Sequence, residues 1–172
     1  MQDPKLTLVN LLTVQIPIAT YPSTSNLIVT KDDGTTPPNL LISSAWYTDE
    51  LMGQYDAIVT VSFLTEPVTP SGFGVIKEDH TYMADVNVWT TNKYSPTSPS
   101  TLIITDETLR GKLVAAIDQI IESNRTTMGY GIHRAKVSNI RGFDEPASVP
   151  YPLRRSDIEI ELYIPTIVSL AA

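Results

Sequence analysis

The chain has 172 residues, 42% of them hydrophobic, which suits one domain of ordinary size with a core of its own. It has no cysteine and only two histidines, His80 and His133, so disulfides, thiolate metal centres, thiol nucleophiles and histidine-rich metal clusters are excluded, and only a carboxylate site for a hard cation stays open. The formal charge of -7 works against unassisted binding to nucleic acid, since affinity for phosphates comes mostly from Lys and Arg.

Met1-Gln2-Asp3-Pro4-Lys5 has no basic region ahead of an apolar run, and no stretch approaches the ~20 apolar residues of a membrane span, so a soluble chain made inside a cell is expected. Asp3-Pro4 reads as an N-cap followed by proline at the first helical position, with Leu6, Val9 and Leu12, or Leu8, Leu11 and Leu12, at helical spacings. A short N-terminal helix follows from this. Toward Pro17 and Pro22 the alternation of Val14, Ile16 and Ile18 favours extended backbone.

Lys31-Asp32-Asp33-Gly34-Thr35 is turn chemistry, and it predicts a hairpin or wide loop between 27–30 and 40–47. Residues 40–47 and 57–64 have strand composition. The second run is apolar on both faces and should lie inside the sheet. Pro/Gly/Ser-rich residues 67–74 predict a loop. In 81–89 the residues Tyr82, Ala84, Val86 and Val88 share one face, with Asp85 and Asn87 on the other, as in a half-buried strand. Residues 93–100 carry too little apolar surface to offset their ordering entropy and are expected to be mobile.

The clearest helix runs from about Asp106 to Asn124, opened by Thr105 or Asp106, with Glu107 near the positive end of the dipole. Its apolar stripe is Leu109, Leu113, Ala116, Ile117, Ile120 and Ile121, placed to lie across a sheet. Gly111 inside it costs roughly 1 kcal/mol relative to alanine and signals either close approach of another backbone or simple tolerance. A strand around Arg134 to Arg141 comes next. The closing run Asp157-Ile158-Glu159-Ile160-Glu161-Leu162-Tyr163-Ile164 alternates with period two. The fold class is therefore α+β: a mixed or mainly antiparallel sheet packed by one long helix and a short N-terminal helix, with long Pro-rich loops, in a single domain over residues 1–172.

Asp157, Glu159 and Glu161 project from one side of one strand at about 7 Å spacing. Such a row is a solvated outer face, or a channel lining or subunit interface where charge is kept for what it repels. Arg154 and Arg155, with Arg141, Arg134 and Lys136 on the preceding strand, form a basic patch if the two strands pair. Aromatic interleaving of the kind that stacks bases is missing, so salt bridges to an acidic neighbouring subunit are the expected use. Gly129-Tyr130-Gly131 lacks a phosphate-binding lysine and reads as a turn between helix and strand. Asp79-His80 lacks a serine in nucleophile context, and Asn124-Arg125-Thr126 matches the glycosylation pattern by chance. Trp46 and Trp89 read as core anchors. No catalytic residue, cofactor site or metal site is expected.

The order of Ala84-Asp85-Val86-Asn87-Val88-Trp89, a loop, the helix ending Ile120-Ile121-Glu122-Ser123-Asn124, the strand around Arg134 to Arg141 and finally Leu153-Arg154-Arg155-Ser156-Asp157-Ile158-Glu159-Ile160-Glu161-Leu162 resembles the tail terminator (tail completion, or head–tail joining) proteins at the neck of tailed bacteriophages and viruses. The likeness covers the last half of the chain; residues 21–38 and 66–79 look like loops added to the family's compact form. It implies a non-enzymatic virion protein, assembled in the host cytoplasm, forming a hexameric ring that caps the tail tube and meets the head connector or adaptor. DNA would pass through without specific binding, with Asp157, Glu159, Glu161, Arg154, Arg155 and Arg141 as candidate lumen or interface residues. A tail tube or baseplate protein is the alternative, and a small binding module a further one. An enzyme or binding module would call for a pocket with a convergent histidine or serine, which the sequence does not offer.

Overall fold

The computed structural model describes residues 3–16, 29–45, 49–65, 68–70, 77–94, 97–129, 132–144 and 153–167. Expectations for Trp46, for residues 71–74 and for most of the Pro-rich segments lie outside the described residues, as does the side chain of His80. In chain order the elements are α1 (Pro4–Gln15), β1 (Leu40–Ser43), α2 (Asp49–Met52), β2 (Ala57–Thr65), β3 (Val68–Pro70), β4 (Lys77–Thr91), β5 (Lys93–Tyr94), β6 (Leu102–Ile104), α3 (Asp106–Ser123), β7 (Arg134–Asp144) and β8 (Leu153–Ile167).

The fold is α+β, with a mixed sheet ordered β1-β2-β4-β8-β7. Only β1 and β2 run parallel; β2–β4, β4–β8 and β8–β7 are antiparallel, and short β3 pairs with β4 at Glu78, Asp79 and His80, beyond the part that β2 covers. β5 and β6 form a separate two-stranded ribbon. The 31–36 segment is a compact turn, closed by Lys31 N–H donating to Thr36 O at 2.8 Å, with Gly34 at φ 72°. The β1 that follows it joins β2 in parallel. Lys93 and Tyr94, expected in a mobile loop, pair instead with β6.

Helix α1 begins where Asp3 accepts a hydrogen bond from Lys5 N–H at 2.8 Å and proline occupies the first turn. It buries Leu8 and Leu12, one turn apart, and leaves Leu6 exposed. The helix persists through Val14 to Gln15, past the point where the alternation suggested extended backbone, because Leu12 and Ile16 have a core to enter. In α3 the stripe Leu109, Leu113, Ala116, Ile117, Ile120 and Ile121 is buried, and it packs over β4, β8 and β7. Thr105 caps α3 by backbone position alone, its hydroxyl going to Asp32, while the Asp106 carboxylate accepts from Glu107 N–H at 2.8 Å. Gly111 is exposed, and a Cβ added to it would meet nothing within 4 Å among the described residues, so no close backbone contact among them explains it.

The main core lies between the helices and one face of the sheet. Ala57, Val59 and Val61 of β2, Ala84, Val86 and Val88 of β4, and Ile158, Ile160, Leu162 and Ile164 of β8 all point into it. Each of these sets is spaced by two, so the residues between them share the opposite face. That second face is covered at one end: Met52, Ile58, Trp89 and Leu153 form a smaller cluster with Leu41, Leu51 and Tyr55. β4 is thus buried on both sides from Ala84 to Thr90, where a half-buried strand was expected.

Candidate functional site

Because β7, β8 and β4 are neighbours in register, their face turned away from α3 is a grid of cross-strand rows. One row holds Trp89, Arg155 and Phe143; the next Asn87, Asp157 and Arg141; then Asp85, Glu159 and Asn139; then Met83, Glu161 and Lys136; then Thr81, Tyr163 and Arg134. A bulge between Val137 and Asn139 keeps Lys136 and Asn139 on this same face, and the intervening Ser138 hydroxyl donates to Glu159 O at 3.2 Å. The two basic strands, whose pairing the sequence left as a condition, do pair, and this brings Arg155, Arg141, Arg134 and Lys136 together with Asp157, Glu159 and Glu161.

Two sequence expectations change. Arg154 leaves the patch, because period two sends it to the opposite face, where its Nε lies 2.7 Å from Asp106 Oδ2 at the start of α3. Asp157 is not part of a solvated row: it is 7% exposed, with Oδ1 2.8 Å from Arg155 Nε, close but without hydrogen-bond alignment. Glu159 is paired with Arg141. Of the arginines expected to bridge to a neighbouring subunit, Arg141, Arg154 and Arg155 are thus occupied within the chain. Arg155 is further fixed by stacking, its guanidinium 5.2 Å from the Trp89 ring centre and 4.6 Å from that of Phe143.

The middle of the grid is strongly desolvated. Asp85 is 8% exposed; its Oδ2 accepts from Asn87 Nδ2 at 3.0 Å, and its Oδ1 has no hydrogen-bond partner among the described residues. Burial raises the Asp85 carboxyl above the ordinary range, against the lowering effects of Asn87, Arg155 and Arg141. Burial likewise raises Asp157, with Arg155 and Arg141 opposing it and the Asp85 charge adding to it. The sequence had placed Asp85 and Asn87 on this face without marking them as part of a site; the missing information was the register to β8.

The other end of the grid opens into a cavity of about 320 Å³ lined, among the described residues, by Thr81, Arg134, Lys136, Glu161 and Tyr163. Two cations and two hydroxyls against one carboxylate make it suited to an anionic group. No group of three His, Asp or Glu side chains able to hold a metal occurs among the described residues. A separate polar hub lies at the start of β2: Asp56 takes Lys31 at 3.0 Å, Lys93 at 3.2 Å and Asn39 N–H at 2.8 Å. Burial works to raise Asp56, and the Asn39 amide with the two ammonium groups outweighs it and holds the carboxyl below its ordinary value. Nothing in the spacing of Lys31, Asp56 and Lys93 announces this hub. His133 is exposed and stands outside these clusters.

No protein-family model matches this chain, and no curated protein matches it at a significant level.

Proposed function

We propose that this chain is a non-enzymatic structural protein of a virus neck, a ring-forming tail terminator that caps the tail tube, joins it to the head connector and leaves a channel for DNA. The observation that carries the reading is the order β4–α3–β7–β8, with α3 laid over one face and the Arg-Arg segment opening a strand inside the sheet. This is the element order on which the resemblance rests. The chemistry of the grid agrees in part: Asp157 lies beside Arg155 and Glu159 is paired with Arg141, cross-links that favour one strand register.

With Asp157 buried, the negative surface a DNA channel needs falls to exposed acids. Glu107, Asp118 and Glu122 supply one, since helical spacing sets them on a single outward stripe of α3. In this reading the Pro-rich segments are those that meet the tube and the connector. A tail-tube role is the second reading, favoured by the 15-residue strands β4 and β8, which pair along their whole length from Lys77–Ile167 to Thr91–Leu153.

Light scattering of the purified chain over a concentration range, with negative-stain images, tests the proposal. Closed hexameric rings are expected. Open-ended tubes would transfer the assignment to the tail-tube reading, and a chain that stays monomeric even when mixed with tail tubes would sink both.

A further inference from the structure

Most of the cationic side chains described are held inside the molecule. Lys31 and Lys93 hold Asp56; Lys112 donates to Thr30 and to the Lys31 carbonyl; Arg125, Arg141, Arg154 and Arg155 each meet a carboxylate. Arg134 and Lys136 differ. Both are exposed, both line the 320 Å³ cavity, and neither forms an ion pair with another described residue, although Glu161 lies directly across from Lys136. They sit on β7, at one end of the sheet.

The 31–36 turn, which leads into β1 and is bonded to α3 through Lys112 on Thr30 and to Thr105 through Asp32, presents Asp32 and Asp33, both exposed. The turn is stiff: Asp33 accepts from the backbone N–H groups of Thr35 and Thr36 at 2.9 and 2.8 Å, and the Thr105 hydroxyl donates to Asp32. Hydrogen bonds from the Thr36 hydroxyl and amide, then the Thr35 amide, hold the Asp33 carboxyl down at about 2, so it is charged at any ordinary pH. Each carboxylate retains acceptor capacity for a further partner.

We propose that the Arg134–Lys136 cavity is the acceptor half of a head-to-tail contact between copies of this chain and takes the Asp32–Asp33 turn of the next copy. A stiff acidic turn loses little entropy on docking, and the Thr81 hydroxyl lines the cavity beside the two cations. The net charge of -7 disfavours a dense phosphate backbone here. Donor and acceptor are different patches of the same chain, so the contact is heterologous and propagates into a closed ring or an open filament. This deepens the ring reading above and rests on it.

The test is sedimentation velocity of the full chain at low and high salt, with R134E/K136E and D32K/D33K as charge reversals and R134Q/K136Q as a milder variant, thermal melts verifying that each is folded. The wild type should associate in a salt-sensitive way, and each reversal alone should weaken association by at least about tenfold. An equimolar mixture of the two reversals should regain it, because each then meets its complement. Undiminished association of R134E/K136E would overturn the contact and leave the ring reading standing, whereas a wild type that never associates would overturn both. Anisotropy of a labelled short DNA duplex supplies the remaining arm: tight binding abolished by R134Q/K136Q would reassign the cavity to nucleic acid.

Discussion

Arg154 Nε stands 2.7 Å from Asp106 Oδ2, a carboxylate whose side chain is 4% exposed, so the first turn of α3 is tied to the strand β8. The Asp106 carbonyl also accepts from the Thr90 hydroxyl of β4 at 2.9 Å, and the Asn92 side chain takes the Asp106 N–H at 2.9 Å. One residue thus anchors the helix N-terminus to two strands.

Replacing Arg154 with alanine leaves that buried carboxylate without its cation. Because the arginine is partly exposed, the expected cost falls between those of surface and buried pairs, about 1–3 kcal/mol. Urea denaturation at neutral pH measures it. A loss under about 0.5 kcal/mol would mean that the pair does not anchor α3.

The grid makes a sharper prediction at Arg155. Removing it in R155A strips Asp157 of its nearest cation and opens the stack on Trp89 and Phe143, so a loss of about 2–4 kcal/mol is expected. Adding D157N should recover part of it, since the charge left unpaired is then gone. A double variant no more stable than R155A would assign the whole effect to lost packing.

The two raised carboxyls set a pH dependence. The folded protein holds the protons of Asp85 and Asp157 more tightly than the unfolded chain does, so the linked stability is fully present below the unfolded value of about 3.9 and is lost as pH rises through the folded values. D85N should therefore melt above the wild type at pH 8, with the gap closing as pH falls toward 4. Asp56 runs the other way: its lowered value gives stability above the unfolded value that disappears as pH falls through the folded one. D56N should accordingly hurt most at neutral pH and least in acid, and matching pH profiles for D85N and D56N would refute the assignment.

At Gly111 the prediction has the opposite sign. The site is helical and exposed, with open space where a Cβ would go, so G111A should stabilise the protein by about 0.5–1 kcal/mol. Destabilisation would show that this face of α3 is covered by something outside the described residues.

These residues also show what a linear reading can and cannot reach. Asp3-Pro4, the stripe from Leu109 to Ile121 and the alternation from Asp157 to Ile164 are local signals, because capping, helical period and strand period involve neighbours a few positions apart. The separation of Arg154 from Arg155 is local as well, since period two sends adjacent strand residues to opposite faces. The burial of Asp157 was out of reach, since it depends on Asn87 and Arg141 arriving on either side by strand pairings across α3 and across the 145–152 segment. The parallel pairing of β1 and the Asp56 hub are non-local in the same way, and no short motif encodes them.

The place of β8 between β4 and β7 has a kinetic consequence. β8 comes after every other described element, yet it supplies the inner partner for both of these strands. Until it inserts, β4 keeps one open edge and β7 has no partner in the sheet, and closing the sheet requires contacts as distant as Lys77 with Ile167. Such non-local ladders form slowly, because loop closure precedes any gain from pairing. The rate at which this protein reaches its native state should thus be governed by β8 docking, with α3 forming early and waiting for the strand that completes the sheet beneath it.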